Sequence, residues 1–146
     1  MQRSFTRTVP YSADQMLALV ADVESYPRFI PHCESMDVVR DSTTPETRFA
    51  ARMKIRFGPI SQAYTSRIEV NQQAMTLDAV AVDGPFSHLH SIWRFAQQRQ
   101  GAIIRFDIDF RIANPLIRSV AEPAFAAKQE EIMDAFVAEA ERRYGA

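Results

Sequence analysis

Cysteine occurs once, at Cys33, in a chain of 146 residues. A lone thiol rules out an intramolecular disulfide and a cysteine-based metal cluster, and it fits a reducing, cytoplasmic setting. Glycine occurs only at positions 58, 84, 101 and 145, each beside turn chemistry or at the tail. No phosphate-cradling glycine-rich loop can be built from them, which excludes the nucleotide and dinucleotide fingerprints. No apolar run approaches the roughly 20 residues that cross a bilayer. Residues 1–9 alternate polar and apolar and lack the apolar stretch of a signal peptide. Membrane contact is therefore expected to be peripheral. An excess of one charge is also missing: 17 basic residues against 18 acidic give −1. That removes the whole-molecule case for DNA or an anionic membrane and leaves only local patches.

What is present is an ordinary globular composition, 47% hydrophobic and 24% charged. The length suits a single domain over 1–146, able to bury about two-thirds of its unfolded surface. A first strand is expected over Arg3–Val9, closed by Pro10. Ser12 followed by Gln15 is a capping-box signature for a short amphipathic helix. Pro27 and Pro31 restrict the next segment to one helical turn and a bend. From Met36 the period becomes two: Phe49, Ala51, Met53, Ile55 and Phe57 share one face, and Arg48, Arg52, Lys54 and Arg56 the other. Gly58-Pro59 turns the chain, and Ile60, Gln62, Tyr64, Ser66, Ile68 and Val70 continue the inner face. A strand over 74–82 ends at Asp83-Gly84-Pro85. The next places Leu89, Trp93 and Phe95 inward with His88, His90 and Arg94 outward. In the last strand Ile104, Phe106, Ile108, Phe110 and Ile112 point in, alternating with Arg105, Asp107, Asp109 and Arg111. Asn114-Pro115 reads as the start of a long helix whose stripe includes Ile117, Val120, Phe125, Ile132, Phe136 and Ala140. Arg118 with Glu122, and Glu139 with Arg143, are expected as pairs on its solvated face. The fold class is thus α+β: a curved antiparallel sheet of about six to seven strands, two short helices after the first strand, and a long C-terminal helix across the concave face, a helix-grip.

Acid/base chemistry needs ionisable groups converging in a cleft. The inward faces supply none, offering only Gln62, Tyr64, Ser66 and Ser91 among apolar side chains. Such a lining suits an apolar ligand, but periodicity alone describes a filled core equally well. The pair His88 and His90 has a spacing two metal-bound imidazoles could use, yet no third ligand accompanies it, and exposed strand histidines are the plainer reading. Asp107 and Asp109 read as cross-strand partners of arginines. His32 beside Cys33 lacks an orienting third group for nucleophilic chemistry. Arg48, Arg52, Lys54 and Arg56 make a basic stripe with few acids near in sequence: a solvated face, or a contact for anionic lipid headgroups or RNA phosphates.

The segments Val23-Glu-Ser-Tyr-Pro-Arg-Phe-Ile-Pro-His-Cys33, Tyr64-Thr-Ser-Arg67, Gly84-Pro-Phe-Ser-His-Leu-His-Ser-Ile-Trp-Arg-Phe95 and Asn114-Pro-Leu116 resemble, in order along nearly the whole chain, the coenzyme Q-binding START-domain family. They are similar also to the bacterial ribosome association toxins of the same polyketide cyclase and START-like superfamily. The resemblance implies a hollow helix-grip with an apolar tunnel for ubiquinone or a related polyprenyl quinone, in a carrier that supports respiration and ubiquinone biosynthesis. No catalytic residue carries over and no cofactor acts as a catalyst. A cyclase or dehydratase of the wider superfamily is disfavoured by the missing inward acids and bases. The tunnel is expected to be lined by Met53, Phe57, Tyr64, Leu77, Phe86, Leu89, Trp93, Phe106 and Phe110 from the sheet and by Leu116, Val120 and Phe125 from the helix. An Asp at Val120 is expected to abolish lipid uptake. Mitochondrial members begin with a targeting segment, whereas here a strand starts almost at Met1, so a bacterial-type cytoplasmic protein visiting the inner membrane is expected. The toxin resemblance implies instead a partner in the large ribosomal subunit, met through the basic stripe.

Overall fold

A computed structural model describes residues 1–57 and 60–145; the side chains of Phe57 and Ile60 and the expected turn at 58–59 lie outside the described residues. Seven strands form one antiparallel sheet: β1 (Gln2–Val9), β2 (Cys33–Arg40), β3 (Arg48–Phe57), β4 (Ile60–Asn71), β5 (Thr76–Ala81), β6 (Phe86–Gln98) and β7 (Gly101–Ile112), in spatial order β1-β7-β6-β5-β4-β3-β2. From β2 to β7 the strands form a meander of successive antiparallel neighbours. β1 closes onto β7, so β1 and β2 are the two edges. The link between them, α1 (Ala13–Ala21) and a 3₁₀ helix (Val23–Arg28), therefore runs from one edge of the sheet to the other. The last helix, α2 (Arg118–Tyr144), packs on the same face.

The capping box forms as its spacing requires: the Gln15 amide donates to Ser12 Oγ at 3.0 Å and the Ser12 amide to Gln15 Oε1 at 2.9 Å. Each satisfies a donor the helix start would otherwise leave unpaired. Pro27 falls inside the 3₁₀ helix, which runs to Arg28. The alternation in β7 is realised: Ile104, Phe106, Ile108, Phe110 and Ile112 are buried. On the outer face the charges pair across β6 and β7, Arg94 to Asp107 at 2.8 Å and His88 to Asp109 at 3.1 Å, and along β7, Arg105 to Asp107 at 2.9 Å. The core is centred on Phe110, Phe136, Met16, Leu19, Ile104 and Met133, all essentially inaccessible.

Three expectations about the helix end differently. α2 begins at Arg118, not at Asn114, whose Oδ1 accepts from the Leu116 amide at 2.9 Å and closes a turn of its own. Arg118 and Glu122 do not pair with each other. Arg118 Nε donates to the Ile112 carbonyl at 2.9 Å and Glu122 accepts from the Ile112 amide at 2.8 Å, so both clasp the end of β7. Glu139 pairs with Arg143 at 2.8 Å as expected, but it is buried, and Arg143 reaches on to Asp22 at 3.1 Å. With Tyr144 Oη donating to the Gln15 carbonyl at 3.1 Å and Arg7 meeting Asp134 at 3.1 Å, the C-terminal half of α2 is tied to α1, β1 and the 3₁₀ segment.

Candidate ligand cavity

Between sheet and α2 lies a cavity of about 100 Å³. β3 to β7 contribute Ala51, Met53, Tyr64, Ser66, Ile68, Leu77, Ala79, Leu89, Ser91, Trp93, Phe106 and Ile108. Val23, Tyr26 and Met36 close one side, and α2 adds Gln129, Ile132 and Phe136. None of these lining residues is Asp, Glu, Lys, Arg or His. A smaller space of about 20 Å³, a branch beside the main chamber, shares Met53, Tyr64, Gln129 and Ile132 with it and is lined further by Ile30, Pro31, His32, Ile55, Phe125, Lys128 and Glu131.

Of the twelve residues expected in the lining, Met53, Tyr64, Leu77, Leu89, Trp93 and Phe106 stand in the main chamber. Phe125 lines the branch, within 4.8 Å of Phe110 and 5.1 Å of Phe86 between ring centres. Phe86 and Phe110 back that ring instead of facing the chamber, Phe110 being fully buried. Phe57 has no described side chain. Leu116 and Val120 are corrected outright: they are 89% and 76% exposed, Leu116 preceding α2, which starts late, and Val120 lying on its first turn. Val120 thus cannot gate the cavity from within. Gln62, expected inward, is exposed.

Two lining residues carry no clear signal in the sequence. Tyr26, which the prolines around it mark only as part of a turn, meets Phe136 edge-on with its ring at 5.2 Å. Gln129 looks like a solvated helix residue by composition and is only 6% exposed. Its i−4 and i+4 neighbours, Phe125 and Met133, are the available signal, since the three residues follow one helical stripe. Trp93 stacks on Phe106 at 4.3 Å and meets Phe136 edge-on at 5.1 Å, so the only tryptophan of the chain sits in the cavity wall.

The phenols are the ionisable groups of the main chamber. Burial pushes Tyr64 up to about 12 and Tyr26 higher still, so both stay neutral near pH 7 and act as hydrogen-bond donors, not bases. Tyr26 Oη donates to the Val20 carbonyl. Gly84, at φ +98°, lets the β5–β6 turn pass over this strand; a Cβ there would come within 2.5 Å of Tyr64 Cβ. Cys33 is buried and its thiol is pushed up to about 11, the opposite of an activated nucleophile. His88 and His90 engage Asp109 and Asp78, and no metal-ligating cluster occurs among the described residues.

The basic stripe is exposed, but the fold brings it acids that sequence proximity does not reveal. Arg48 lies 3.8 Å from Glu69, Arg52 3.9 Å from Asp83, Lys54 3.8 Å from Glu34 and Arg56 4.0 Å from Glu34. No helix among the described residues is long and apolar enough to cross a membrane.

Comparison with known proteins places the same residues in context. The family described as polyketide cyclase / dehydrase and lipid transport matches residues 9–137. The ribosome association toxin RatA of Escherichia coli (strain K12) is 36% identical over 146 residues, covering 99% of this chain and 90% of that protein. The mitochondrial coenzyme Q-binding protein COQ10 homolog B of Xenopus laevis is 29% identical over 150 residues, covering 99% of this chain and 60% of that protein. Among solved structures, the Zhui aromatase/cyclase from Streptomyces sp. R1128 superposes with a TM-score of 0.80 at 19% identity, covering 98% and 94% of the two chains. That likeness is one of fold.

Proposed function

Because the chain belongs to the polyketide cyclase / dehydrase and lipid transport family, with the START-like helix-grip fold, we propose that it binds ubiquinone or a related polyprenyl quinone between sheet and α2 and carries it in support of respiration and ubiquinone biosynthesis. The observation that carries this reading is the cavity wall: apolar and aromatic throughout, with a few neutral hydroxyls and one amide, and no charged side chain in the main chamber. Ligand sites of this kind use apolar surface for affinity and a few polar groups for orientation. The likeness to a coenzyme Q-binding protein supports the choice of ligand.

At about 100 Å³ the chamber is smaller than the roughly 300–1,000 Å³ usual for such sites, so uptake requires widening. The C-terminal half of α2 is tied by Arg143, Tyr144 and Asp134. Arg118 and Glu122 hold its start to the end of β7, so widening falls on the stretch between these ties, which carries Phe125, Gln129 and Ile132 beside the narrow branch. A ligand this apolar is exchanged with a bilayer, and the contact is peripheral. Titrating the protein with short-tailed ubiquinone while following Trp93 fluorescence tests the reading: saturable quenching is expected, and its absence overturns it.

A second reading is favoured by the 36% identity to a ribosome association toxin. In it the exposed row Arg48, Arg52, Lys54 and Arg56 contacts RNA phosphates of the large ribosomal subunit, and translation is inhibited. Replacing Arg52, Lys54 and Arg56 by Glu should then remove salt-sensitive co-sedimentation with large subunits. Retained co-sedimentation would exclude that surface.

A further inference from the structure

We propose that Tyr64 and Gln129 are the specificity-determining pair of this site, donating hydrogen bonds to a carbonyl oxygen of the ligand's ring at the junction between the main chamber and the narrow branch. The inference rests on the quinone-binding reading above and adds to it which atoms recognise the head of the ligand. It also states what is selected: a lipid bearing a carbonyl acceptor over one that is hydrocarbon throughout.

The two partly buried phenols of the wall are unequally committed. Tyr26 Oη is already spent on the Val20 carbonyl. Tyr64 Oη has only the Met53 sulfur, at 3.7 Å, among its described hydrogen bonds. A thioether is a weak acceptor, so a phenol partly withdrawn from water gains from a better partner. A carbonyl oxygen in the chamber would replace it with a full-strength bond. Because burial pushes this phenol up to about 12, the proton stays in place to be donated at any physiological pH.

Gln129 is likewise weakly committed. It is the buried amide of α2, 6% exposed, and its described hydrogen bond is a long one, Nε2 to the Phe125 carbonyl at 3.3 Å. That carbonyl lies one turn back on the same helix, so the bond can be surrendered without unpicking tertiary structure. Tyr64 on β4 and Gln129 on α2 both border the chamber and the branch, together with Met53 and Ile132, so they face one volume from the sheet and from the helix. The chamber wall carries Trp93, Phe106 and Phe136, and the branch wall carries Lys128 and Glu131. An amphiphile is sorted by that gradient, and the two donors stand where it changes.

The test compares wild type with Tyr64→Phe and Gln129→Met, both close in shape. Two ligands are used: ubiquinone with a two-isoprene tail, read by Trp93 quenching, and the matching ring-less prenyl hydrocarbon, read by competition. Each substitution should weaken the quinone by about three- to tenfold, the usual worth of one neutral hydrogen bond, and leave the hydrocarbon unchanged. Near-ultraviolet circular dichroism and melting temperature establish that each variant is folded. Quinone affinity within about twofold of wild type in both variants, less than one hydrogen bond is worth, overturns the pair. So does an equal loss of both ligands, which marks a packing defect. If wild type itself does not bind the quinone, the quinone reading falls first and the pair falls with it.

Discussion

Replacing Ala79 by Leu should close the site without unfolding the protein. Ala79 lies on β5 with its side chain on the cavity wall, between Ile68 of β4 and Ser91 of β6 in register. The three added carbons enter the chamber that Ala79 lines. Filling a void of about 100 Å³ returns at most about 2 kcal/mol, at the usual ~24 cal/mol per Å³. Imperfect fit costs about 1–3 kcal/mol. The two nearly cancel, so the melting temperature of the free variant should move by only a few degrees. The response to ligand should change completely. For wild type, free quinone at a hundredfold excess over Kd adds about 2.7 kcal/mol, or roughly 5–10 °C in a domain of this size. The variant should show no such shift. Differential scanning calorimetry with and without detergent-dispersed short-tailed ubiquinone reads both quantities. A variant that melts normally and still gains the full shift would refute the assignment of the cavity as the binding site.

Three further outcomes follow from the same structure. Val120→Asp, on an exposed turn, should change stability by less than about 0.5 kcal/mol and leave uptake intact, whereas Phe110→Ala, at 0% exposure, should cost about 3–5 kcal/mol; chemical denaturation compares them. Cys33, buried with its thiol pushed up to about 11, should resist iodoacetamide near neutral pH until the chain is unfolded, and rapid labelling of the native protein would contradict its placement. Glu139 is held down to about 2, chiefly by hydrogen bonds from Arg142 and then Arg143. Its contribution is therefore full above the unfolded carboxyl value of 4.5 and lost as pH falls through about 2, so Glu139→Gln should lower the melting temperature at neutral pH and converge with wild type near pH 2.

The sheet is legible in the sequence because period-two patterning is strict where one face is buried. The alternation from Ile104 to Ile112 assigns the buried side chains of β7 correctly, and the same holds for Leu89, Trp93 and Phe95 on β6. The start of α2 is not legible, since Asn114 can cap a helix or close an isolated turn and only the tertiary clasp of Ile112 by Arg118 and Glu122 decides between them. That ambiguity is what carries Leu116 and Val120 into the expected lining. Tyr26 and Gln129 are hidden for a related reason: a polar residue enters an apolar cavity through tertiary position, which a single helical stripe or a proline-rich turn does not encode. The acids opposite the basic stripe belong to other strands and loops, so their balance emerges only with the register.

The central claim is that the cavity holds a prenyl quinone, and mass spectrometry of an organic extract tests it most directly. Natively purified wild type should yield ubiquinone approaching one molecule per chain, and Ala79→Leu, purified in parallel, should yield none. Absence of any prenyl lipid from the wild-type extract, even after incubation with quinone-loaded liposomes, would contradict the claim.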